Sequence, residues 1–311
     1  MEMNLPRRVL LCEVGPRDGF QFEAKPIPTD VKVEVIEGLV AAGLRRIQVT
    51  SFVHPKWVPQ MSDAEEVVRR LSPRDGVLYT GLALNLRGVE RARRAGLKAV
   101  DVSIATDERH SRDNANTSVD EGLAQAAEMV AQARAAGMAV QVGFQTVFGY
   151  ARPGDTPVEK VAAMVRRFAG MEVESFSFAD TTGMANPAMI RARVAVLREA
   201  CGAVPMVLHL HDTRGLGLAN VVAALEAGID RFDTSLGGLG GCPFIPGAAG
   251  NIATEDTAYL LASMGVETGV DLSEVARCSR RMEAFLERRL PGKMHRLVGE
   301  DEPATFLPVE R

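Results

Sequence analysis

The chain lacks most of the features that mark a secreted, membrane-bound or nucleic-acid-binding protein. Its four cysteines, Cys12, Cys201, Cys242 and Cys278, are widely spaced and form no C-x-x-C pair. Neither a disulfide framework nor a structural zinc site is indicated, and a reduced, cytoplasmic setting fits. No apolar run approaches the roughly 20 residues that span a bilayer, and the short run in "MEMNLPRRVLLCEVG" is interrupted by charge, so no membrane anchor or secretory signal is expected. An excess of one charge is also missing: 36 Lys and Arg stand against 40 Asp and Glu, a net charge of −4. That balance gives no electrostatic reason to expect nucleic acid or an anionic membrane, and a small-molecule partner is the better expectation. Low-complexity tracts and proline- or serine-rich linkers are absent too, so residues 1–311 read as one domain. A glycine-rich phosphate turn after the first apolar run is lacking as well, because "EVGPRDG" is not G-x-G-x-x-G, which weakens the case for a doubly wound open sheet.

What the chain does have is a repeat. Ala42-Gly43-Leu44 precedes "RRIQVTS", Ala95-Gly96-Leu97 precedes "KAVDVSI", Ala136-Gly137-Met138 precedes "AVQVGFQ", and Ala227-Gly228-Ile229 precedes "DRFDTSL", with Ala169-Gly170-Met171 a looser copy before "EVESFSF". Each glycine suits the left-handed residue that ends a helix, and each following run alternates like a strand. Ser62 with Glu65, Ser118 with Glu121, and Thr156 with Glu159 are spaced as capping boxes, and Asn186-Pro187 offers a cap and a first-turn proline. Further apolar runs bring the strands to eight, near 9, 46, 78, 99, 139, 175, 206 and 231. Eight such units predict a (β/α)8 TIM barrel over about 9–270, a C-terminal helix over about 273–289, and a tail over 291–311.

Several strands alternate in an unusual way. Ile47 and Val49, Val100, Val102 and Ile104, Val140, Val142 and Phe144, and Leu208 and Leu210 form an apolar set for the helices to cover. The opposite set is polar: Gln48 and Thr50, Asp101 and Ser103, Gln141 and Gln145, His209 and His211. Barrel interiors are usually filled by branched apolar layers, so polar groups there must satisfy one another or serve a ligand.

The stretch "HLHDTRG" places His209 and His211 two residues apart on a strand, with Cα atoms roughly 6.5 Å apart, within reach of one ion. Asp18, just past strand one, and Asn251, ending the loop "GGLGGCPFIPGAAGN", are oxygen donors at other strand ends. Two nitrogens with oxygen donors suit Mg2+ or Mn2+ at an open site, and Zn2+ also satisfies the residue types. Asp212 lies on the opposite face and is expected to cap or brace its loop. Arg17 offers a fixed cation for a developing oxyanion, and Cys242 sits in a glycine-rich loop able to approach a ligand and move as a lid.

The segments "EVGPRDG", "TSFVHPKWVPQM", "HLHDTRGLGLAN" and "SLGGLGGCPFIPGAAGNIATED" together resemble the 3-hydroxy-3-methylglutaryl-CoA lyase family, metal-dependent TIM-barrel lyases and synthases with an Asp-Arg-Glu site triad. The likeness spans most of residues 9–290. It implies that Asp18, His209, His211 and Asn251 hold the divalent cation, that Arg17 stabilises the product enolate, and that Cys242 is the mobile-loop acid. The implied reaction is a retro-Claisen cleavage of a 3-hydroxyacyl-CoA, in which a base takes the hydroxyl proton, the C–C bond breaks, and the thioester enolate is protonated. His209 is preferred to Asp18 as the base, since a metal-bound carboxylate is a weak one. Asp180 in "ADTTG" matches an aspartate near the family's site, and Gln21 and Ser51 are expected to line the pocket. The acyl-CoA partner rests on the resemblance alone; the oligomeric state is not legible, and a homo-oligomer is compatible.

Two positions depart from the family. Its strand-two glutamate is Gln48 here, and strand five carries Gln141 where the lyases tend to have arginine. Gln48 can still bond Arg17 but supplies no charge. A related acyl-CoA or hydroxy acid is therefore expected as substrate, not necessarily hydroxymethylglutaryl-CoA. Two other readings remain at this level: a synthase joining an acyl-CoA to a 2-oxo acid, which often has a C-terminal regulatory domain, and a barrel that binds without catalysis, for which Gln48 is the best argument.

Overall fold

The computed structural model of the chain describes residues 5–241 and 249–299. Eight parallel strands close a barrel in chain order: β1 (Leu10–Glu13), β2 (Arg46–Ser51), β3 (Leu78–Ala83), β4 (Ala99–Ala105), β5 (Ala139–Gln145), β6 (Ser175–Ala179), β7 (Met206–His209) and β8 (Arg231–Thr234). Closure is made by β8 pairing with β1, from Leu10 opposite Arg231 to Glu13 opposite Thr234. The helices outside it are α1 (Thr29–Ala41), α2 (Ala64–Arg70), α3 (Leu86–Ala95), α4 (Glu108–Ala115), α5 (Val119–Ala135), α6 (Val158–Arg166), α7 (Pro187–Cys201), α8 (Gly217–Glu226) and α9 (Thr254–Ser263). The C-terminal helix is α10 (Leu272–Leu286), shorter at its end than expected because Glu287 turns left-handed at φ +54°. No helix among the described residues is long and apolar enough to cross a membrane.

The repeated phrase folds as its chemistry dictates. Gly43, Gly96, Gly137, Gly170 and Gly228 all have positive φ, between +74° and +102°, the conformation that ends a helix and that side chains disfavour. Each is followed by a strand whose outward residues, such as Ile47, Val100, Val140 and Phe232, are fully buried beneath the helices. Phe144 stacks on Phe178 at 5.7 Å in that outer layer. Full burial of each such side chain is worth about 1.5–3 kcal/mol, which fixes which face of every strand turns inward.

Three local expectations need correction. Of the capping boxes, the one at Ser118 and Glu121 forms. At α2 the residue before the helix is Asp63, whose carboxylate is taken by Lys32 and Thr29, while Glu65 pairs with Arg91. At α6 Thr156 donates to the Thr146 carbonyl and Pro157 precedes the helix without a side-chain cap. The polar set on β2 is broken by a register shift between Gln48 and Thr50, which turns Thr50 outward to Met61, with Oγ1 and Sδ 3.7 Å apart.

Contacts between strands that are not neighbours place Gln48 and Asp101 of that set in the lumen and add Ser177 and Asp233 to it. Gln48 on β2 bonds Asp101 on β4, and Ser177 on β6 bonds Asp233 on β8 at 3.2 Å. Such contacts run only through the lumen, so the barrel interior is polar and internally bonded.

Candidate metal centre and active site

At the C-terminal mouth of the barrel, the turn after β1 brings the first two site residues. Residues Gly15–Gly19 form a single π-helical turn. Glu13, fully buried at the end of β1, accepts the Gly15 and Leu236 amides and the Thr254 hydroxyl, tying this turn to the loop after β8. Arg17 and Asp18 are thereby aimed into the mouth. Arg17 Nε donates to Gln48 and its Nη1 to Asp18, while Gln21 donates to the same carboxylate at 3.0 Å.

His209 is the last residue of β7, and His211 lies beyond the strand, correcting the expectation that both belong to it. His211 instead makes an antiparallel bridge with Asn251, flanked by bonds from the Ile252 amide to Leu210 and from the Asp212 amide to Gly250. That short ladder sets the His211 and Asn251 side chains beside each other. Asp212 braces the loop as expected, accepting the Gly217 amide at 2.8 Å.

The four predicted ligands meet. Ligand atoms of Asp18, His209 and His211 lie within 4.8 Å of one another. The two histidines approach through Nε2 at 3.2 Å, and Asn251 donates to Asp18 at 2.8 Å. Gly240 permits this closeness: at φ +136°, a Cβ there would meet Asn251 Nδ2 at 2.6 Å. Asn251 Oδ1 and His211 Nδ1 are buried without a partner. A carboxylate, two imidazole nitrogens and an unpaired amide oxygen fit a divalent cation by both number and type.

The electrostatics of Asp18 and His211 agrees. Burial pushes the Asp18 carboxyl up, but Arg17, then His209 and the Asn251 amide, outweigh it and hold it near 2. Burial, followed by neighbouring His209, lowers His211 to about 3, leaving it neutral as a ligand must be. His209 is raised: burial opposes, but the bond to Asp233 and the charge of Asp18 prevail.

The chain matches the HMGL-like family over residues 8–282. It belongs to that family. The hydroxymethylglutaryl-CoA lyase of Pseudomonas mevalonii is 42 % identical over 282 residues, 89 % of this chain and 92 % of that protein. That of Bacillus subtilis is 39 % identical over 291 residues, 94 % of this chain and 97 % of its own. A crystal structure of the Bacillus subtilis lyase matches at a TM-score of 0.92 with 38 % identity, covering 95 % of this chain and 99 % of that one. A lyase structure from Acinetobacter baumannii, in complex with coenzyme A and 3-methylmalate, matches at 0.89 with 34 % identity and 98 % coverage of both chains. The reaction class of this HMGL-like protein is therefore carbon–carbon lysis.

The remaining predicted residues of the HMGL-like site are distributed as follows. Asp180 follows β6; its Oδ1 accepts the Met184 and Ala185 amides, its Oδ2 is buried without a partner, and burial pushes the carboxyl up to about 7 against those bonds. Ser51 is buried at the end of β2 with its hydroxyl unpartnered. Gln141 lies deeper, opposite Asp101 and Ser175 in the strand register, and accepts from the Ser175 hydroxyl at 2.8 Å. Cys242 lies outside the described residues.

Sequence reasoning missed Asp233, Glu13 and Glu255. Asp233 accepts from His209 Nδ1 at 3.2 Å. Its signal was the same alternation, carried into "DRFDTSL". Glu255 accepts the Gly237 amide and faces buried His295 at 3.2 Å, anchoring the root of the loop that leads to Cys242. Nothing in its spacing distinguishes Glu255 from a first-turn acidic residue of α9.

Proposed function

We propose that the protein cleaves hydroxymethylglutaryl-CoA or a closely related 3-hydroxyacyl-CoA to an acetyl-CoA-type thioester and an oxo acid, using Mg2+ or Mn2+. The observation that carries this reading is the convergence of Asp18, His209, His211 and Asn251 beside a fixed Arg17. Those four residues would hold the cation. Bound there, it would act as a Lewis acid toward the substrate's hydroxyl and carboxylate oxygens.

The chain's own groups supply the rest. Arg17, fixed by Gln48 and Asp18, presents its guanidinium to the enolate oxygen of the departing thioester, the kind of preorganised charge that contributes most to such barriers. His209 offers the site one nitrogen, because Nδ1 is engaged by Asp233, so ligation and proton acceptance are alternatives at Nε2. Its approach to His211 Nε2 favours ligation. The hydroxyl proton is then assigned to Asp180 Oδ2, a buried carboxylate whose raised basicity suits proton transfer near neutrality. Cys242 is assigned the return of a proton to the enolate carbon. Gln21, Ser51 and Gln141 are assigned to the pocket wall.

The test is a panel of 3-hydroxyacyl-CoA thioesters, hydroxymethylglutaryl-CoA included, incubated with Mg2+ or Mn2+ while both products are followed. Stoichiometric appearance of thioester and oxo acid from at least one compound is expected; none from any compound would refute the reading.

A further inference from the structure

Gln48 stands where the family's strand-two carboxylate is expected, yet it is not an isolated amide. Its Nε2 donates to Asp101 and its Oε1 accepts from Arg17. Asp101 is itself held by Thr80 Oγ1 at 2.6 Å and by Arg46 Nη2 at 2.8 Å, and Arg46 reaches Glu174 at 2.6 Å. Glu174, Arg46, Asp101, Gln48, Arg17 and Asp18 thus form one chain of bonds from the lower barrel to the candidate metal centre.

The polarity of this chain is fixed by chemistry. A guanidinium has donors only and a carboxylate acceptors only, so an amide between them has one orientation: nitrogen to Asp101, oxygen to Arg17. We propose that Asp101 is a positioning residue for Arg17, holding the Gln48 amide so that a Gln–Asp pair replaces a single strand-two carboxylate. The negative charge missing at position 48 is present two strands further round the lumen, on β4. A glutamate at 48 is incompatible with Asp101, because two carboxylates in contact do not both stay ionised in a buried site.

This inference rests on the lyase reading for its kinetic arm, and it makes an inverted prediction. Gln48→Glu, which recreates the family residue, lowers kcat by about 100-fold through misplacement of Arg17, with KM little changed. Gln48→Glu combined with Asp101→Asn restores complementary donor and acceptor and returns kcat to within about tenfold of the parent. The parent, both single variants and the pair are also unfolded in urea, where the pair is expected to be more stable than Gln48→Glu alone. Full activity of Gln48→Glu, or a double variant no better than it in either assay, overturns the proposal. An inactive parent counts against the lyase reading, and the urea series then decides the Asp101–Gln48 pairing by itself.

Discussion

His209 Nδ1 and Asp233 Oδ2 are 3.2 Å apart across the β7–β8 pair, leaving His209 with Nε2 as its one nitrogen toward the site. A carboxylate behind a histidine fixes its tautomer and ring plane and raises its ligand strength. Asp233→Asn is therefore expected to weaken Mn2+ binding by about 10–100-fold in a calorimetric titration while the fold is kept. Unchanged affinity would detach Asp233 from the metal centre.

Asp180 has two separable duties. Oδ1 holds the Met184 and Ala185 amides, and Oδ2 is the proposed proton acceptor. Asp180→Asn keeps an oxygen for the loop but loses the basic carboxylate, so kcat is expected to fall by roughly 10²–10⁴-fold with the urea midpoint nearly unchanged. Retained turnover would leave Asp180 as a loop brace only.

Glu13 predicts a pH dependence of stability. Burial raises its folded value to about 7 from the ordinary 4.5, against three bonds that favour the charged form. The folded state holds this proton more tightly, so the contribution of Glu13 is complete below about 4.5 and is lost as pH rises through about 7. Glu13→Gln does not titrate and keeps an oxygen for the two amides. The variant should gain on the parent by up to a few kcal/mol between roughly pH 5 and pH 8 in urea unfolding. A constant difference across that range would contradict the assignment.

Cys242→Ser, in the loop whose root Glu255 anchors, should lower kcat by about 100-fold and leave Mn2+ affinity within about twofold. Equal turnover by the two proteins would remove the thiol from the proton-return step.

The barrel was legible because its helix-ending glycines and alternating strands are local signals. Starts expected near 46, 78, 99, 139, 175, 206 and 231 are the observed first residues of β2 to β8. Asp18, His209, His211 and Asn251 were also legible as ligand types at strand ends, and they do converge. What the sequence hides is competition between partners. Ser62 and Glu65 are spaced as a capping box, but Arg91, distant in the chain, takes the Glu65 carboxylate, and Gln48 reads as a lost charge although Asp101 lies against it. Thr50 was misassigned because a register shift on β2 inverts its face, and alternation alone carries no trace of a bulge.

We propose that carbon–carbon cleavage at this barrel mouth requires an ion held by Asp18, His209, His211 and Asn251. The most direct test is turnover of hydroxymethylglutaryl-CoA and its homologues by chelator-stripped protein, before and after addition of Mg2+ or Mn2+, in the parent and in His211→Ala. No cleavage is expected without metal, with recovery on reloading the parent and no recovery in the variant at the same metal concentration. Cleavage that survives stripping, or that His211→Ala recovers as fully as the parent, would contradict it.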